Sequence, residues 1–264
     1  MTWLKYPLFA QIASVLWFVG LMALLLLKTK HKHWISSIFF FLGLGALICF
    51  TTNLWISLER PPFRTLAETR LWYALILGVI GLILYYRWKL VWLLAYCLLM
   101  AILFIYINYF NPDTFDKTLM PALQSPWFIP HVIAYIIGYA FLAVSYLIGL
   151  KGLVMYKRKF DVTDTLKLAD NVVYIGFSFI TFGLLFGALW AKEAWGHYWT
   201  WDPKETWAFL TWLTYLLYIH FRVKKMSINL ALWMLSIAFV VLLLTWFGVN
   251  YLPSTQSSIH VYSN

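Results

Sequence analysis

Charge is what this chain has least of. Of its 264 residues, 11% are Asp, Glu, Lys or Arg, against 63% that are hydrophobic. A soluble domain carries about 25% charged residues, and a surface with less than half of that could not be solvated by water, so the bilayer must be the solvent. Cysteine is nearly missing as well. Cys49 and Cys97 both lie inside apolar runs and form neither a CxxC pair nor a CxxCH motif, so the chain does not hold a metal or prosthetic group by its own thiols. Internal repeats, low-complexity tracts and linkers are absent, which predicts one integral membrane domain over residues 1–264. No cleavable signal is expected, because the first apolar run is long enough to span and no small-residue cleavage site follows it. The net charge of +10 is scattered in short clusters at segment ends, which argues against nucleic acid as a partner.

What the chain has in abundance is apolar sequence. Eight runs approach or reach the ~20 residues needed to cross a bilayer. They lie at 7–27, 34–54, 71–86, 90–108, 131–153, 171–191, 206–222 and 228–248. The expected fold is an all-α polytopic membrane protein of about eight transmembrane helices. Of the 20 Lys and Arg residues, 13 fall in one alternate set of connections and 7 in the other. The positive-inside rule makes the first set cytoplasmic and puts both termini on the outer (periplasmic) side. Segment 53–70, loop 109–130, the tryptophan-rich stretch and the polar tail 249–264 then share that outer side. The tail has Pro253 and a serine run, which argue against helix there.

The stretch WGHYWTWDPKETW, from Trp195 to Trp207, organises the chain. Tryptophan and tyrosine favour the membrane–water interface, but here they build the loop itself, expected over about 192–205. So large an aromatic surface suggests a flat apolar ligand. The charges have a simpler role. Asp202 suits an N-cap, Pro203 the first helical position and Glu205 the third, where it can reach back to the cap.

The six histidines carry the chemistry. His31 and His33 sit in a basic loop and read as solvated. His131 opens the fifth span, His197 lies in the tryptophan-rich stretch and His260 in the tail, so three imidazoles converge on the outer side. A lone interfacial histidine is usually a polar anchor. Two of them beside a tryptophan surface raise the case for paired axial ligation of a haem iron. His220 lies within the seventh span, about 21 Å of helix rise from residue 206, so it belongs to a separate inner site.

These residues resemble a known family. WGHYWTWDPKETW is similar to the tryptophan-rich "WWD" signature of haem-handling membrane proteins. Its Trp-Asp-Pro-Lys-Glu form resembles the CcsA (ResC) family of system II cytochrome c biogenesis proteins. His131 after Ser125-Pro126-Trp127, and His260 after Gly248-Val249-Asn250-Tyr251, fall where that family has its external haem-ligand histidines. His220 falls where it has a histidine inside a membrane helix. ERPPFRTLAETR is a weaker match to the family's outer segment. The resemblance implies a subunit of a holocytochrome c synthase (haem lyase) in the bacterial inner (cytoplasmic) membrane. It would move haem b across the bilayer and present it for thioether attachment to the CxxCH of an apocytochrome c. The family works with a second membrane subunit, CcsB (ResB), which would supply the second imidazole of the inner site beside His220; thiol-reducing proteins are further possible partners.

Under this reading His131 and His260 hold the outer iron, and Trp195, Trp199, Trp201, Asp202 and Trp207 form the cofactor-binding shelf. No acid–base residue is required. Arg60, Arg64 and Lys204 are candidates for pairing with propionates, and His197 takes no ligand role. Three alternatives stay open: a solute transporter with an aromatic site, which leaves the histidine placement unexplained, a haem exporter or chaperone without ligase chemistry, and a membrane b-type electron-transfer cytochrome. The last needs histidine pairs on facing helices, and this chain has one such histidine.

Overall fold

A computed structural model describes residues 3–63, 65–115, 125–246 and 248–251. Among them are eight α-helices and no strand: α1 (Tyr6–Leu26), α2 (Lys32–Leu58), α3 (Leu66–Trp88), α4 (Val91–Phe110), α5 (Phe128–Lys157), α6 (Thr163–Trp195), α7 (Pro203–Val223) and α8 (Ile228–Trp246). Each of the eight expected runs is a helix. Seven are long and apolar enough to cross a membrane by length and composition, as a multi-pass membrane protein requires. The exception is α7. At 21 residues it is about 31 Å long, but Lys204, Glu205, His220 and Arg222 keep it from being uniformly apolar.

The chain divides into two compact units, residues 1–119 and 120–264. In the first, α1 packs on α2 and α3 on α4, and α1–α4 and α2–α3 contacts close the group. Tyr6 and Trp17 are fully buried large side chains. Each satisfies its polar atom on a neighbouring backbone: Tyr6 Oη donates to Ile105 O at 2.8 Å, and Trp17 Nε1 to Phe40 O at 3.2 Å. In a medium without water those bonds have no substitute. The segment before α3 is tied down by its own sequence. Thr65 and Glu68 make a capping box, Arg60 pairs with the buried Glu68 carboxylate through two nitrogens at 2.9 and 3.1 Å, and Phe63 stacks on Trp72. Arg60 is therefore committed to Glu68. Arg64 lies outside the described residues.

The second unit is built on the α5–α6 pair, with α8 against α5 and α7 between α6 and α8 in packing order. Two polar links hold α7. Thr245 Oγ1 bridges to Thr211 Oγ1 (2.6 Å) and to Trp207 O (2.9 Å) near one end. Near the other, Asp170 of α6 receives Arg222 Nη2 at 2.6 Å and Tyr218 Oη at 2.7 Å. Helix α6 starts eight residues before its apolar run does, carrying Asp164, Lys167 and Asp170 into the helix.

Candidate functional site

At one end of the second unit lie the start of α5, the end of α6, the loop 196–202 and the 3₁₀ turn Gly248–Tyr251, which contacts α7 and α8. The loop is shorter than the sequence suggests. Helix α6 runs through Trp195, where Gly196 takes a left-handed φ of 86° and its carbonyl accepts a hydrogen bond from Lys192 Nζ. Helix α7 then begins as expected, with Asp202 as N-cap, Pro203 at N1 and a complete capping box with Glu205.

Glu205 does more than cap. Its buried carboxylate accepts from the backbone N–H groups of Thr200 (2.8 Å) and Asp202 (3.2 Å), drawing the loop in on both sides of Trp201. Trp201 is left with φ 59°, a conformation costly for a bulky residue, and its ring stands 63% exposed. Strain concentrated at an outward-facing aromatic residue marks the loop as a functional candidate.

His131 sits in the first turn of α5. Its Nδ1 lies 2.9 Å from Gly183 O of α6. A carbonyl has no proton to give, so Nδ1 carries a proton and donates to it. Gly187 makes this approach possible: a Cβ there would stand 2.7 Å from His131 Nδ1. The N-terminal approach to α5 is fastened to the same helix, because Ser125 Oγ donates to Glu193 Oε2 at 2.7 Å and accepts from Trp127 N–H.

Among the described residues the aromatic rings at this end form two clusters. In the first, Phe128, Trp190 and Trp195 surround the His131 end of α5, with His131 and Trp190 centroids 5.2 Å apart and Trp190 and Trp195 5.0 Å apart at 60°. In the second, Trp199 meets Trp201 at 85°, and Trp201 meets Phe209 at 87°. Edge-to-face geometry is what ring quadrupoles favour when the rings have only each other to pack against. Trp199 Nε1 is buried and has no hydrogen-bond partner among the described residues, a donor that an acceptor on a ligand would satisfy. Trp207 lies half-buried on α7, its carbonyl engaged by Thr211 and Thr245. His197 is exposed in the loop.

His220 is at the far end of α7, exposed beside the Asp170–Arg222–Tyr218 cluster. His260 lies outside the described residues. His33, expected to be solvated, is exposed and in addition has a specific partner: its Nδ1 is 2.5 Å from Tyr85 Oη. Among the described residues no group of three His, Cys, Asp or Glu side chains is placed to hold a metal ion.

Residues 64–256 match the family model for cytochrome c assembly proteins. The chain belongs to that family. It is 45% identical over 115 residues to the cytochrome c biogenesis protein CcsA of Chlamydomonas reinhardtii, spanning 40% of this chain and 33% of the relative. The CcsA of Atropa belladonna is 37% identical over 172 residues, with 51% of this chain and 55% of the relative covered. That of Morus indica is 31% identical over 248 residues, 75% and 77% of the two chains. The chain thus spans about half the length, or less, of the first two curated relatives. The cytochrome c assembly match takes in the Thr65–Glu68 capping box that opens α3 and the His131–tryptophan end of the second unit. Sequence reasoning missed Gly183, Gly187, Trp190 and Glu193 there. The four-residue spacing of the two glycines, a known signature of close helix approach in membranes, was the available signal.

Proposed function

We propose that this chain handles haem for cytochrome c assembly. It would receive haem b at the His220 end, present it at the tryptophan-rich end, and hold it there through His131 while an apocytochrome c CxxCH is joined to it. One observation carries the reading. The Nδ1–H bond from His131 to Gly183 O fixes the orientation of the ring, as a backbone carbonyl commonly does for metal-bound histidines. The orphaned Trp199 indole N–H and the protruding Trp201 support a polar-edged aromatic ligand at the same end.

Haem here is cargo. Each thioether forms when a cysteine S–H adds across a vinyl group, the hydrogen ending on the neighbouring vinyl carbon, so no external oxidant is consumed. The chain then contributes proximity and orientation rather than an acid–base group. His131 and His260 would hold the iron, and Trp195, Trp199, Trp201, Asp202 and Trp207 would shape the surroundings. His220, exposed on α7, would hold the inner haem iron together with a second imidazole supplied by a CcsB-type partner. The orientation that fits is the tryptophan-rich end outward from a bacterial inner membrane.

The test is an absorption spectrum of the purified chain, expressed with and without a CcsB-type subunit and a CxxCH acceptor. A reduced bis-imidazole signal lost in His131→Ala, with thioether-linked haem on the acceptor, is expected. Haem binding without any covalent product would reduce the function to transport, and a haem-free preparation in both cases would remove the reading altogether.

A further inference from the structure

The first unit carries a feature that haem handling does not use. Two open grooves run side by side along the α2–α3 face, of about 670 and 520 Å³, and share Phe41 and Tyr86. The first is lined by Trp34, Ile38 and Leu42 along its length, with His33 and Ser37 at its lip. The second continues past Leu44 and Val79, with Arg87 at its head. Phe41, Leu42 and Ile83 are each more than half exposed, so these walls are open.

The two ends of the double groove differ in chemistry. At the lip His33 is bonded to Tyr85 Oη, and the Tyr86 hydroxyl to Ser37 Oγ. Lys89 Nζ stands 5.5 Å from the Tyr86 ring centroid and 5.8 Å from that of Tyr85, while the Arg87 guanidinium lies over Trp88. Lys28 and Lys30 belong to the α1–α2 connection and Lys32 opens α2 at the same end, and neither this connection nor that between α3 and α4 contains an Asp or Glu. Basic residues at a helix end alone follow from topology. A hydrogen-bonded polar lip with cations held over its rings, opening onto an apolar furrow, is a different arrangement. From His33 to Leu44 the furrow follows about 16 Å of helix rise, close to the ~15 Å depth of one leaflet's hydrocarbon.

We propose that this groove binds an acidic glycerophospholipid, its phosphate against Arg87 and Lys89 and one acyl chain along Phe41 towards Leu44. Charge complementarity selects the headgroup, and the furrow's length selects a lipid over a short anion. The ligand differs from the haem cargo, and the site lies wholly within the first unit.

The experiment is native mass spectrometry of the full chain released from detergent with equimolar phosphatidylglycerol and phosphatidylcholine, paired with photo-crosslinking from an acyl-labelled phosphatidylglycerol. About tenfold preferential retention of phosphatidylglycerol is expected, with crosslinks in residues 33–44 and 79–87. The preference should vanish in the double variant Arg87→Gln, Lys89→Gln and persist in Lys224→Gln, Lys225→Gln. Equal retention of both lipids, equal loss in the two double variants, or crosslinks confined to other helices would each overturn the proposal. Crosslinking of the unaltered chain decides the matter even if the groove variant does not fold.

Discussion

Replacing Gly187 by alanine separates helix stability from histidine placement, because the two respond in opposite directions. Alanine is the better helix former by about 1 kcal/mol, so the α6 backbone gains. The new Cβ would stand 2.7 Å from His131 Nδ1 and 2.9 Å from Cε1, against an ordinary contact of about 3.6 Å. Either α6 backs away or the imidazole swings outward by nearly 1 Å. The second route stretches the 2.9 Å bond to Gly183 O past hydrogen-bonding range. A lost hydrogen bond costs about 1 kcal/mol and overpacking about 1–3 kcal/mol, so net stability should fall by roughly 1–3 kcal/mol. The consequence for a ligand is larger: removing the partner that orients a metal-binding histidine typically costs about 10–100-fold in affinity. The assay is a haem titration of the purified variant, read in the reduced spectrum, beside a thermal melt in detergent. The double variant with His131→Ala should bind no worse than His131→Ala alone, since both act through one imidazole. A Gly187→Ala protein that binds haem as the parent does would refute the link between this glycine, the Nδ1 bond and the iron.

Glu205→Ala should release Trp201 from its strained backbone. The buried N–H of Asp202 and the part-buried N–H of Thr200 lose their acceptor at about 1–3 kcal/mol in total, and hydrogen exchange across 199–202 should rise while that of α5 stays unchanged. Arg60→Ala takes a two-nitrogen partner from the buried Glu68 carboxylate and should destabilise the first unit by about 1–3 kcal/mol, seen as a lower melting temperature; Arg60→Ala with Glu68→Gln should recover part of it.

The helices were legible in the sequence because apolar length is the one signal a bilayer imposes on every span. The start of α7 was legible too, since Asp-Pro-Lys-Glu carries its cap within four residues. The polar extension of α6 was not, because its first eight residues look like loop until Asp170 finds Arg222, a partner 52 positions away. The site divides the same way. The composition of WGHYWTWDPKETW announces a tryptophan-rich end, and the position of His131 next to Ser-Pro-Trp announces a histidine there. What holds that imidazole comes from Gly183, Gly187 and Trp190, all more than fifty residues away, and periodicity says nothing about which faces of two helices meet. Nor could a residue list tell that neighbouring indoles would turn edge-on instead of lying flat.

The pinning of α7 has a mechanical meaning. One terminus is gripped by the Asp202–Glu205 cap and the Thr211–Thr245–Trp207 link, the other by Asp170 through Tyr218 and Arg222. Between Pro203 and His220 the helix therefore behaves as a strut of about 26 Å that neither shortens nor frays easily. A molecule handed from the His220 end to the tryptophan end has to make the journey itself, since the rod connecting the two stations keeps them at a constant distance.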